Sequence, residues 1–162
     1  MSLDSPTKNA YHESLQGRRR GDRPEELAAI RQYIRAAKKI VVPNRNGGKL
    51  TVINEVLREF GLAQAHLLPV ETSCSDLSRM PALTKALMAL DTTDCDLVIA
   101  RGRLGIPGSG SMLVILDVKG RVLSAALSPS HVVHGGPLPD TVKSEMKAAL
   151  ERIGFRPGEK SV

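Results

Sequence analysis

The sequence predicts an α/β domain in which a mixed β-sheet is flanked by helices. Segments with helical periodicity alternate with short apolar runs, in the order αβαβαβββα. Runs such as 97–100 and 112–118 are too apolar for strands with one face in water, so helices must cover the sheet. The chain has 162 residues, of which 41% are hydrophobic and 25% charged, a composition typical of one globular domain.

The N-terminal third is predicted to hold an arm followed by a helix. Residues 1–21 are polar and include an arginine triplet, which indicates a mobile arm or a strap over a second subunit, with a nucleic-acid-binding arm as the alternative. The single α/β nucleotide-binding domain then covers residues 22–162. Asp22 and Glu25 have the spacing of a capping box and precede LAAIRQYIRAAKK, so a helix is predicted there.

Strands and helices alternate through the rest of the chain. Apolar runs predict strands, helical spacing predicts helices, and Lys119-Gly120 predicts a hairpin connection. The predicted elements are a strand at 40–42, a helix at 50–60 ended by Gly61, an edge strand at 65–70, a helix at 81–90, strands at 97–100, 112–118 and 121–127, and a helix at about 140–153.

The first candidate site is the loop between the first strand and the second helix. Glycines at the start of a helix let an anion approach backbone N–H groups, and basic side chains can neutralise phosphate. The alternative is a tight turn in which both glycines have positive φ. The candidates are Asn44, Arg45, Asn46, Gly47, Gly48 and Lys49.

The second candidate site, RGRLGIPGSGS, directly follows the strand at 97–100. Arginine can bind an oxyanion through two parallel hydrogen bonds, and the glycine-serine run offers backbone and hydroxyl donors. The alternative is a flexible surface loop. The candidates are Arg101, Arg103, Gly108, Ser109, Gly110 and Ser111.

The third candidate site is the loop SPSHVVHGGP, which contains Ser130, His131 and His134. Histidine titrates near neutral pH, so these side chains suit acid–base chemistry, polar lining of a pocket or metal binding. A structural turn is the remaining alternative. Two histidines without further spaced ligands are a weak metal motif.

The acidic and sulfur-containing residues are less informative. Turn or capping roles and binding of a divalent cation both remain open for Asp91, Asp94 and Asp96, and Glu71 or Asp117 could hold Mg²⁺. The two cysteines, Cys74 and Cys95, form no CxxC motif, which favours a reducing compartment.

Charge and aromatic content narrow the class of ligand. The net charge is +6, and the basic residues concentrate towards the two ends of the chain, which suggests an anionic partner. Two Tyr, two Phe and no Trp leave few faces on which bases could stack, so binding of nucleic acid is unlikely. The polar N-terminus predicts neither a signal peptide nor a membrane span, and a cytoplasmic location is expected.

Three stretches resemble the HcgB family of iron-guanylylpyridinol cofactor biosynthesis in methanogenic archaea. They are DRPEELAAIRQYIRAAKKIVVPNRNGGK, IARGRLGIPGSGSMLVILD and SPSHVVHGG. The resemblance implies a homodimeric guanylyltransferase that joins GMP from GTP to a hydroxyl of a substituted pyridinol and releases pyrophosphate. It also implies a fold like that of the inosine triphosphate pyrophosphatases.

A weaker resemblance to those pyrophosphatases lies in Asn46-Gly47-Gly48-Lys49 and in Leu83-Thr84-Lys85-Ala86. Val52, Met80 and Arg101 stand where the hydrolases carry acids, and water activation by a metal needs such acids. Transfer is therefore favoured over hydrolysis. A nucleoside triphosphate pyrophosphatase remains an alternative, as does a nucleotide- or nucleic-acid-binding module without catalysis.

The resemblance allows provisional roles for the candidate residues. Nucleotidyl transfer depends on positioning and charge stabilisation, so GTP is the expected substrate and Mg²⁺ the expected cofactor. The predicted catalytic residues are Lys49, Arg101, Arg103 and His131. Arg45 would join the cationic residues at the triphosphate, Asn44 and Asn46 would lie near the nucleoside, Gly108–Ser111 would line the phosphate or acceptor side, and Ser130, His131 and His134 would bind the acceptor.

Overall fold

The computed structural model describes residues 2–159, which form a five-stranded sheet and the helices around it. The elements in chain order are α1 (Asp4–Leu15), α2 (Pro24–Ala36), β1 (Ile40–Pro43), α3 (Gly47–Glu59), β2 (Ala65–Leu68), a 3-10 turn (Ser73–Leu77), α4 (Pro81–Thr92), β3 (Leu97–Arg103), β4 (Ser111–Asp117), β5 (Val122–Ser128), α5 (His131–His134) and α6 (Leu138–Glu151).

The sheet is mixed, with the strand order β2-β1-β3-β4-β5. β1 runs parallel to β2 and to β3, whereas β4 is antiparallel to both β3 and β5. The predicted α/β fold with a mixed sheet is confirmed, and β2 is an edge strand as expected. β1 is followed by β2 on one side and has β3 on its other side, so the strand order reverses between β1 and β3, where a ligand crevice is expected at the carboxyl ends of the strands.

Helices cover both faces of the sheet. Ile40, Leu97 and Leu113 point to the face packed by α2, α3 and α6, whereas Val41 and Val98 point to the face packed by α4. Side chains alternate between faces along a strand, and burial of both sets explains why the strands read as continuous apolar runs.

The N-terminal segment predicted as an arm contains a helix that contacts the rest of the chain. Leu3, just before α1, is buried in the main core, and the Asp4 carboxylate accepts hydrogen bonds from Lys119 Nζ at 2.6 Å and Arg121 Nη1 at 3.0 Å. Arg19, after α1, forms an ion pair with Glu26 of α2 at 2.6 Å. The segment is therefore folded against its own domain.

Other differences from prediction concern where elements begin and end. The predicted capping box is displaced by one residue, because Glu26 accepts a hydrogen bond from the Arg23 amide at 2.7 Å. β3 continues through Arg103, so the two arginines lie on a strand and not in a loop. The predicted loop around His131 contains the short helix α5.

Two glycines allow close packing next to the crevice. A Cβ on Gly102 would lie 3.1 Å from Ala82 Cα, so glycine lets the first turn of α4 approach β3. Gly110 has a φ of +90°, and a Cβ there would lie 2.2 Å from the Ser128 carbonyl oxygen. Only glycine fits that position, which fixes the loop before β4.

Among residues 2–159, no helix is both long enough and apolar enough to cross a membrane.

Candidate active site

The second and third candidate segments line one cavity of about 630 Å³. Arg101, Arg103 and Ser111 contribute from the sheet, and Ser130 and His131 from the start of α5. The remaining lining residues are Pro107, Gly108, Gly110, Pro129, His134, Gly136, Leu138 and Thr141. Residues 30 positions apart in the chain thus share one pocket. The predicted triphosphate-binding and acceptor-binding roles require such a shared pocket.

Arg101 is held by a buried carboxylate that sequence reasoning did not identify. Its Nε donates to Glu145 Oε1 at 2.6 Å, and its Nη2 donates to Ser111 Oγ at 2.9 Å. The Ser111 hydroxyl in turn donates to Glu145 Oε2 at 2.6 Å. Glu145, on α6, has a side chain only 1% exposed, so the three residues form a closed polar network within the wall of the pocket.

Arg103 and the loop that follows it are held more loosely. Arg103 Nη1 donates to the Asp76 carbonyl at 3.3 Å. Within the loop, the Ser109 hydroxyl accepts from the Gly105 amide at 2.9 Å, and the Leu104 amide donates to Gly110 at 3.0 Å. Ser109 therefore uses its hydroxyl to shape the loop, and Arg103 keeps most of its donors for a ligand.

The two histidines at the pocket differ in their hydrogen bonding. His134 Nδ1 accepts from the Gly136 amide at 2.8 Å. A neutral imidazole that accepts at Nδ1 carries its proton on Nε2, so His134 has no ring nitrogen left that could accept a hydrogen bond from a ligand. His131 has no such partner among residues 2–159. The Ser130 hydroxyl caps α5 by accepting from the Val132 amide at 3.4 Å.

The first candidate segment lies at the end of β1, outside the set of residues that line this cavity. Asn44 Oδ1 accepts from the Asn46 amide at 3.1 Å, and Asn46 Oδ1 accepts from the Gly48 amide at 2.9 Å, which caps α3. Gly47 begins α3, and neither it nor Gly48 has a positive φ, so the alternative of a tight glycine turn is wrong. Arg45 forms an exposed ion pair with Glu71 at 2.9 Å.

Two half-buried lysines, Lys49 and Lys85, lie near the carboxyl ends of β1 and β3. Burial lowers the pKa of Lys49, on the first turn of α3, and the nearby charges of Lys85 and Arg101 lower it further. Burial likewise lowers the pKa of Lys85, on α4, whose Nζ donates to the Arg101 carbonyl at 3.0 Å. The negative charges of Glu145 and Asp76 oppose this shift at Lys49, and Asp76 opposes it at Lys85, so carboxylates near this region compensate part of its positive charge.

The sequence matches the model of a known protein family over most of its length. The model described as "FeGP cofactor biosynthesis protein HcgB, guanylyltransferase" matches residues 3–155.

The chain belongs to the HcgB family.

The predicted resemblance to HcgB is thereby confirmed over nearly the whole length of the chain. HcgB proteins are guanylyltransferases, which are nucleotidyltransferases that use GTP, and they act in FeGP cofactor biosynthesis. An anion-binding pocket lined by arginines suits an enzyme of this class. The similarity to inosine triphosphate pyrophosphatases stays a prediction.

In this HcgB-family chain, Asp117, Asp96 and Glu71, three of the acids predicted as possible metal ligands, have structural partners. The Asp117 carboxylate accepts from Arg121 Nε at 2.6 Å, and Asp96 accepts from the Lys38 and Lys39 amides at 2.9 and 2.8 Å. Glu71 pairs with Arg45 and accepts from Ser73. The described residues contain no group of three or more His, Cys, Asp or Glu side chains that could hold a cation. They do not fit a protein cage for Mg²⁺, whose requirement stays a prediction.

Sequence reasoning did not single out two residues of this candidate site by their position, Glu145 and Lys85. Glu145 occupies the buried stripe of α6 together with Val142 and Ala149, and an acid on an apolar stripe is the signal that could have revealed it. The sequence places Lys85 in the motif Leu83-Thr84-Lys85-Ala86 but does not predict its contact with Arg101. Only the fold places it beside Arg101.

Proposed function

We propose that this chain transfers the guanylyl group of GTP to a hydroxyl of a substituted pyridinol and releases pyrophosphate. The observation that carries the proposal is that Arg101, Arg103, Ser130 and His131 line the same cavity. Membership of the HcgB family supports the guanylyl donor. A volume of about 630 Å³ falls in the range of pockets that enclose small ligands.

The cationic side of the pocket suits the triphosphate. Arg101 and Arg103 line the cavity, and Lys49 adds a further positive charge near Arg101. Positive groups held in place before the reaction stabilise the charge that develops on the phosphate oxygens in the transition state. Asn44 and Asn46 use their carbonyl oxygens in the loop and retain their amide NH₂ groups for the nucleoside.

The opposite side suits the acceptor. In the proposed step the pyridinol oxygen attacks the α-phosphorus, a new P–O bond forms, and the bond to the β-phosphate oxygen breaks, so pyrophosphate leaves with that electron pair. The proton of the acceptor hydroxyl passes to His131. This residue is a better base than His134, because the Gly136 amide already occupies the acceptor nitrogen of neutral His134.

The test is pyrophosphate release from GTP and Mg²⁺, measured with and without a hydroxypyridine acceptor and combined with mass spectrometry of the product. We expect release only in the presence of the acceptor, together with a guanylylated pyridinol. A phenol-like hydroxyl is more acidic than water and needs less activation, and the described residues offer no carboxylate cluster to activate water.

A second test uses the variant His131→Ala. This variant should lower acceptor-dependent pyrophosphate release by about 10²–10⁴-fold if His131 is the general base. Rapid conversion of GTP to GMP without acceptor would contradict the transferase and favour a pyrophosphatase.

A further inference from the structure

Glu145 places a negative charge in the wall of a pocket that is otherwise cationic. Its side chain is 1% exposed, and both carboxylate oxygens bind within the network, Oε1 to Arg101 Nε and Oε2 to the Ser111 hydroxyl. A carboxylate near a polyphosphate site repels the ligand, so attraction of the nucleotide cannot be its role. The contacts point to a role exerted on Arg101.

The network occupies one edge of the Arg101 guanidinium and leaves the other free. Nε donates to Glu145, and Nη2 donates to Ser111 at 2.9 Å and to Glu145 Oε2 at 3.5 Å. Within residues 2–159, Nη1 has no hydrogen-bond acceptor, and Arg101 lines the cavity. Because the guanidinium is planar and rigid, fixing Nε and Nη2 also fixes the direction of the two Nη1 protons.

We propose that Glu145 is a positioning residue, which acts through Arg101 and Ser111 to aim the Nη1 group of Arg101 at the phosphate oxygens on which negative charge develops in the transition state. This inference rests on the proposed function, in which Arg101 binds the triphosphate. A matched control makes the inference testable. Glu145 binds Ser111 at the start of β4, and Asp117 at the end of β4 is a second buried carboxylate that binds an arginine, Arg121, at 2.6 Å.

The experiment compares two matched pairs of variants in the full chain. Glu145→Gln and Glu145→Ala are set against Asp117→Asn and Asp117→Ala, and melting temperature, kcat and KM for GTP are measured for acceptor-dependent pyrophosphate release. Assays are run well below the lowest melting temperature, and rates are expressed per folded molecule. If Glu145→Ala does not fold, Glu145→Gln alone decides, since it keeps the length of the side chain and one oxygen for Arg101 Nε.

Both pairs should lower the melting temperature, since each breaks a buried ion pair. Only the Glu145 pair should lower kcat, by about 100-fold for Ala, the usual cost of misplacing a positioned group by about 1 Å. Glu145→Gln should recover kcat to within about tenfold of the parent chain, because one hydrogen bond to Arg101 remains. KM for GTP should change by less than about threefold, since an interaction made in the transition state is lost.

Equal kcat values for the Glu145 and Asp117 variants would overturn the inference and leave Glu145 a purely structural residue. A raised KM with unchanged kcat would overturn it as well. Arg101→Ala separates this failure from failure of the proposed function. If Arg101→Ala keeps full turnover, the assignment of Arg101 to the triphosphate is wrong, whereas loss of turnover in Arg101→Ala with normal Glu145 variants removes only the positioning role.

Discussion

Arg101 and Arg103 lie two residues apart on β3, but they differ in how far the protein depends on them. The Arg101 side chain is 12% exposed and neutralises the buried Glu145 carboxylate, whereas Arg103 contacts one backbone carbonyl at 3.3 Å. Removing Arg101 leaves a buried charge without its partner, and removing Arg103 leaves nothing buried unpaired.

We therefore expect Arg101→Ala and Arg103→Ala to lower turnover by about 10- to 1,000-fold, the range for losing a charge-assisted contact in the transition state. Only Arg101→Ala should also lose stability, by about 3 kcal/mol, as for other broken buried pairs. Thermal melts beside pyrophosphate-release assays would check this difference. An unchanged melting temperature for Arg101→Ala would contradict the dependence of the fold on the Arg101–Glu145 ion pair.

At the scale of elements, three segments bring positive charge to one end of the sheet. The start of α3 carries Lys49, α4 carries Lys85, and β3 carries Arg101. Burial lowers the pKa of both lysines, and the positive charge of Arg101 lowers both further, although Asp76 acts in the opposite direction, so their charged forms cost stability in the folded protein. Such a cost is expected where a site is prepared for an anion.

Replacing Lys49 should separate stability from binding. At neutral pH, Lys49→Met should raise the melting temperature by about 2–4 °C, the shift that roughly 1 kcal/mol produces in a chain of this size, and should weaken GTP binding. The gain should be full below the lowered pKa of Lys49 and shrink as pH rises towards the ordinary lysine value of 10.5, because stability of the parent chain increases over that window.

The matched control for this experiment is Lys8→Met on α1, where the side chain is exposed and far from the crevice in the fold. It should change neither GTP affinity nor the pH dependence of melting. A loss of stability in Lys49→Met would contradict the interpretation of Lys49 as an unpaired buried cation.

The element boundaries show how far local sequence signals reach. Helical spacing predicted α3, α4 and α6, since the residues that define a helical stripe are neighbours in the chain. The extension of β3 to Arg103 was not predicted. Its last residues pair with Met112 and Ser111 of β4, so a partner strand, and not their own polarity, keeps them extended.

For the whole molecule, we propose a homodimer in which α1 contributes to the contact between subunits. Tyr11 and Leu15 of α1 are 61% and 67% exposed although large and apolar, while Leu3 and Asp4 tie the start of the helix to its own domain. Apolar side chains grouped on one exposed helix are typical of a protein–protein contact.

Light scattering at about 10 µM should therefore give the mass of two chains. Association at this concentration needs only an affinity that an interface of ordinary size readily provides. The double variant Tyr11→Lys, Leu15→Lys should shift the mass towards one chain, because burying two charges opposes association. Val132→Lys, at an exposed position on α5, serves as the control and should remain dimeric. A monomer for the parent chain would rule out this assembly.

The sequence by itself determined the layered α/β fold, the order of most elements and the two loops that became walls of one pocket. These features follow from periodicity and turn chemistry over a few neighbouring residues. Only the tertiary structure decided that Arg101 meets Glu145, 44 positions later in the chain, and that Lys49 lies near Lys85. Such contacts depend on which strands pair and how α6 packs on the sheet, so no local pattern in the sequence encodes them.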